Sequence, residues 1–138
     1  MVNQNLVLTK VAKLKEYLQF LEKVREYGKD KYLGDPFIYG SSERFLHLAI
    51  ECVIDISNHI ISDMGFRKPE TNRDSILILY ENAIISKELC ESLSDMASFR
   101  NILVHDYVKL NRVMVYDIIN SNLKDLELFN KEVVKLLS

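Results

Sequence analysis

Apolar residues in this chain recur at alternating steps of three and four, the period that lines one face of an α-helix. Over about residues 4–27, Val7, Val11, Leu14, Leu18 and Leu21 form a narrow seam suited to a bundle interior. A second helix is expected from Ser41 or Ser42, either able to cap it, with Glu43 at its positive end. Its two apolar stripes, Phe45, Ala49, Cys52, Ile56 and Leu46, Ile50, Val53, Ile60, predict a central position. Gly65 suits the left-handed residue that closes such a helix, and Pro69 prevents its continuation.

Thr71 to Asp74 has the form of a capping box and should open a third helix, interrupted and re-capped at Ser86. A fourth should run from Glu88 to about Tyr107. Asn111 is the expected cap of a last helix ending near Leu137, with Val115, Ile119, Leu123, Leu126, Phe129, Val133 and Leu136 inward. The segment 27–42 reads as a loop that holds Phe37 and Tyr39 against the core. Every glycine and proline falls in 28–40 or 65–69, so the whole reads as all-α, an up-and-down bundle of four to five helices.

With 138 residues, the chain is expected to form one domain over 1–138. Its 48% hydrophobic and 28% charged composition is ordinary for a soluble protein. No apolar run is expected to approach the about 18 residues of a spanning helix, and no signal-peptide pattern opens the chain. A cytoplasmic protein without membrane attachment is therefore expected, with Cys52 and Cys90 reduced in its core. His47, His59 and His105 form no metal-ligand spacing with either cysteine, so neither metal nor cofactor is expected. A net charge of −2 disfavours a non-specific nucleic-acid binder. Any anionic partner must therefore be met by local cations such as Arg100, Lys109 and Arg112, while Lys10, Lys13 and Lys15 read as a solvated face.

The most informative stretch is RNILVHDY, residues 100–107. Leu89, Leu93, Met96, Arg100, Leu103 and Tyr107 share one stripe, and Arg100 stands where Leu or Ile would be expected. A guanidinium keeps its charge and is costly to bury unpaired. It implies an anionic partner, a second subunit or a solvated groove; the bland alternative is a surface ion pair with Glu91, Asp95 or Asp106. His105 is offset about 140° around the helix from Arg100. Bringing the two together requires an unwound helix end, a long reach by Arg100, or two protomers. His105 on its own reads equally as a proton-transfer group or a helix-end histidine. Glu51, Asp55 and His59 make a polar stripe on the second helix, either a solvated face or an acidic edge supporting Arg100, Asp55 most of all. Asn101 stands beside the site as an auxiliary candidate.

This stretch resembles the R-x4-H-x-Y signature of HEPN domains, specifically HepT-like toxins of toxin–antitoxin pairs. Residues 43–61 and 75–107 resemble that family's central helices, so the resemblance spans most of the chain. It implies a homodimeric HEPN bundle that cleaves RNA without a metal, with Arg100 and His105 catalytic. The RNA 2′-OH would attack the adjacent phosphorus, leaving a cyclic phosphate and a free 5′-OH. Arg100 would hold the phosphate while one His105 takes the proton and its mate protonates the leaving oxygen. It also implies that a nucleotidyltransferase antitoxin of the MNT type silences the toxin by AMPylation of Tyr107. The competing reading is a non-enzymatic helical module that binds a nucleotidyltransferase and positions its nucleotide. A structural dimerisation bundle without ligand is the third.

Overall fold

The computed structural model describes residues 2–105 and 111–138, and these form six helices with no strand among them. They are α1 (Gln4–Tyr27), α2 (Lys29–Gly34), α3 (Pro36–Met64), α4 (Asn72–Glu81), α5 (Lys87–His105) and α6 (Arg112–Leu137). The expected all-α helical bundle is what forms. Helix α3 packs against all five others, which is why it is apolar on two sides. Leu46, Ala49, Ile50, Val53, Ile56 and Ile60 are all buried, whereas Phe45 and Cys52 at the edge of their stripe are half-buried. From α1 come Val7, Leu14, Leu18 and Leu21, and from α6 Val115, Ile119, Leu123, Leu126, Phe129 and Val133. By length and composition α3 could cross a membrane, contrary to the expectation that nothing in the chain comes close. Here that hydropathy serves the bundle's centre.

Most helix ends follow the predicted chemistry. Gly65 adopts φ 70°, and its N–H returns to the last turn of α3. The Thr71 hydroxyl accepts from Asp74 N at 3.0 Å and opens α4. The Ser86 hydroxyl accepts from Leu89 N at 3.2 Å after the break at 82–86, and Asn111 accepts from Val113 N at 2.9 Å.

The segment 27–42 departs from expectation. It is helical, and α3 begins at Pro36 rather than at Ser41 or Ser42. The Asp35 carboxylate accepts from Phe37 N at 2.9 Å, and proline at the first helical position has no N–H left orphaned. Ser41 and Ser42 instead donate their hydroxyls back to carbonyls one turn earlier. Phe37 is 88% exposed and does not pack on the core; Tyr32 of α2 takes that role, fully buried beside Tyr39 and Tyr116. Gly40 lies inside the helix, so its cost in helix propensity is outweighed by packing on either side.

Candidate functional site

Helix α5 presents Leu89, Leu93, Met96 and Leu103 to the core, each no more than 6% exposed. Arg100 continues their stripe with its side chain 24% exposed. Its Nε donates to Glu51 Oε1 of α3, forming an ion pair between the two helices. Its Nη1 lies 3.5 Å from Asn101 Oδ1. Among the described residues, Nε is thus committed to Glu51 and Nη1 reaches Asn101, while about a quarter of the side chain, 24%, stays exposed. Asp95 pairs with Arg73 at 3.4 Å, so of the bland partners considered for Arg100 it is engaged elsewhere.

The acidic stripe divides. Glu51 meets Arg100, but Asp55, one turn on, pairs with Lys10 of α1 at 3.6 Å. The support role expected chiefly of Asp55 thus falls to Glu51, because α5 crosses α3 at the Glu51 turn while α1 covers Asp55. His59 is half-buried a further turn along. Lys13 pairs with Glu16 at 3.7 Å on the exposed face of α1.

Two residues at the site escaped the sequence reading. His47 Nε2 lies 3.4 Å from the same Glu51 oxygen that accepts from Arg100, and Arg44 Nη1 lies 3.1 Å from His47 Nδ1. Residues 44, 47 and 51 are spaced i, i+3, i+7, so the spacing rule that picked out Glu51, Asp55 and His59 also reaches them in the other direction. Toward the start of α3, the Arg112 guanidinium stacks over the Tyr39 ring at 4.1 Å. Burial pushes the Glu43 carboxyl above its ordinary range, against the opposing pull of Arg112, and Glu43 Oε1 is buried without a hydrogen-bond partner.

Helix α5 remains helical through His105, so no unwinding separates it from Arg100 up to that point. The His105 side chain, Asp106, Tyr107 and Lys109 lie outside the described residues. Both cysteines are free thiols; Cys90 is buried, and burial raises the Cys52 pKa to about 11, leaving it protonated and unreactive. Among the described residues no three of His, Cys, Asp and Glu are grouped to hold a metal ion. The site offers a partly open cation, its carboxylate anchor and an imidazole, which together suit an anion such as a phosphate.

Residues 14–133 match the family model described as Ribonuclease HepT-like. The mRNA nuclease HepT of Shewanella oneidensis is 32% identical over 126 residues, spanning 91% of this chain and 93% of that protein. The tRNA nuclease HepT of Aphanizomenon flos-aquae is 27% identical, spanning 93% and 87%. A solved structure of a tri-AMPylated Shewanella oneidensis HEPN toxin in complex with MNT antitoxin superposes with a TM-score of 0.86. It is 32% identical and covers 94% of this chain and 96% of its own.

Proposed function

The chain belongs to the HepT-like ribonuclease family and is a ribonuclease of the toxin–antitoxin kind, and on that premise we propose that it cleaves RNA without a metal ion at a homodimer cleft in the cytoplasm. Arg100 is the phosphate-binding cation. Its permanent charge and partly exposed side chain suit a phosphorane whose oxygens gain charge in the transition state. His105 is the proton-transfer group: in one protomer it takes the proton from the 2′-OH as that oxygen bonds to phosphorus. Its mate protonates the departing 5′ oxygen, so a cyclic phosphate and a 5′-OH result. Five residues along one continuous helix lie about 140° apart, so a site drawing on both side chains is more readily completed by two copies than by one. Glu51 anchors Arg100 and Asn101 flanks it.

The partner is a cognate nucleotidyltransferase antitoxin of the MNT kind, which attaches AMP to Tyr107. Each added phosphate would pair with the site's cations and each base would fill the RNA path. What carries this reading is Arg100, set in an apolar stripe, anchored by Glu51 and still partly exposed.

The test is purification with and without the cognate partner, followed by intact mass and RNA cleavage in the presence of a chelator. Cleavage should persist with the chelator and fall roughly a hundredfold in Arg100→Ala, the usual cost of losing one transition-state donor. Co-expression should add AMP units that Tyr107→Phe cannot accept. A His105→Ala chain that cuts as well as the unaltered protein overturns the assignment.

A further inference from the structure

We propose that His47 is a positioning residue for Arg100, acting through Glu51, and that Arg44 selects the ring tautomer that lets it do so. Its effect on cleavage rests on the ribonuclease reading above; its effect on Arg100 does not. A guanidinium has donors and no acceptor, so Arg44 Nη1 at 3.1 Å makes His47 Nδ1 the accepting nitrogen. In the neutral ring the proton then sits on Nε2, which faces Glu51 Oε1 at 3.4 Å. That oxygen is the one bound by Arg100 Nε.

The ring therefore does two things. Its N–H dipole holds the carboxylate in the rotamer that meets Arg100, and its body stands between Arg44 and Glu51. Arg44 is exposed and shares the Glu51 face of α3, so without the ring it would compete with Arg100 for the carboxylate. A competed-for Glu51 leaves Arg100 free to swing, and a guanidinium that must be ordered during the reaction is a poorer stabiliser of developing charge. With the His47 side chain only 18% exposed, water is a weak substitute for either contact.

The experiment compares His47→Leu, His47→Gln and Arg44→Met in the full chain. The readouts are the 15N resonance of the Arg100 Nε–H group, the ring nitrogens of His47, and steady-state RNA cleavage. His47→Leu should shift or broaden the Arg100 resonance and lower kcat roughly tenfold, with KM within about threefold, as expected for loss of one orienting contact. Glutamine keeps one acceptor and one donor in nearly the same places, so His47→Gln should stay within about threefold of the unaltered protein. Arg44→Met changes an exposed side chain, so it should fold normally and weaken the preference for an unprotonated Nδ1, which the Glu51 carboxylate facing Nε2 then sustains alone.

The proposal is overturned if His47→Leu leaves both resonance and kcat unchanged, or if His47→Gln is as impaired as His47→Leu at an unchanged Tm. It is overturned equally if the native His47 carries its proton on Nδ1. Should neither the unaltered chain nor Arg100→Ala cut any RNA, the ribonuclease reading falls by itself, and the Arg100 and His47 resonances still decide this one.

Discussion

At the residue scale, the chain contains polar atoms placed where packing alone would not put them, and their consequences differ. Arg100 has an anchor and a partly exposed side chain, which is how a fixed cation is kept near the interior without being wasted on the fold. Tyr32 is the opposite case. Its ring fills the space among α2, α3 and α6, yet its hydroxyl is buried with no hydrogen-bond partner. Burial, followed by the nearby Glu43 carboxylate, holds that hydroxyl well above the ordinary tyrosine range. Removing an unsatisfied polar atom while keeping the ring recovers part of its desolvation cost. Tyr32→Phe should therefore be neutral or stabilising by about 1 kcal/mol in urea unfolding. A loss of similar size would show that the hydroxyl has a partner after all.

At the element scale, the helix termini carry the local specification. Asp35 is the side-chain cap of α3, the helix on which Arg44, His47 and Glu51 are mounted. Asp35→Ala should cost about 1 kcal/mol of stability, measured by denaturant midpoint, without changing the core. Helix α4 is held by a different device. Arg67, in the connection after α3, binds Asp74 at 2.7 and 2.8 Å and Glu81 at 2.9 and 3.0 Å, one carboxylate at each end of α4. The guanidinium beside Asp74 lowers that carboxyl from 3.8 to about 2, and Glu81 is lowered by the same partner. A carboxyl whose pKa is lower in the folded state stabilises fully above its unfolded value and progressively less below it. Stability should thus decline as pH falls from about 4 towards 2, and Arg67→Met should flatten that part of the profile. An unchanged acid limb in Arg67→Met would show that the clip contributes nothing.

At the scale of the whole molecule, α3 and α5 define the site, and a second copy is proposed to complete it. If each cleft draws on Arg100 and His105 from both protomers, Arg100→Ala and His105→Ala chains should each be inactive as homodimers. The unaltered chain mixed with His105→Ala and allowed to exchange should give dimers that cut far less than half as well as the unaltered dimer, because one of the two proton-transfer groups is missing. Native mass spectrometry would confirm the exchange. Mixed dimers that keep half of the unaltered cleavage would mean that one protomer supplies both proton transfers.

Much of this was legible in the chain because the signals are local. The three-and-four periodicity of Leu14, Leu18 and Leu21, the caps at Thr71, Ser86 and Asn111, and the stop at Gly65 each depend on residues within one or two turns. The intrusion of Arg100 into an apolar stripe is equally local, and with the signature around it the family could be named. Three decisions belonged to the tertiary structure. Tyr32, fully buried, rather than Phe37, which points outward, became the aromatic of the 27–42 segment. Glu51 rather than Asp55 became the anchor of Arg100, although both lie on one stripe. His47 and Arg44 joined the site only because α5 crosses α3 beside them. Periodicity says which face of a helix is polar; which turn of that face meets a given neighbour depends on crossing angle and axial offset, and those are set by packing residues far apart in the chain.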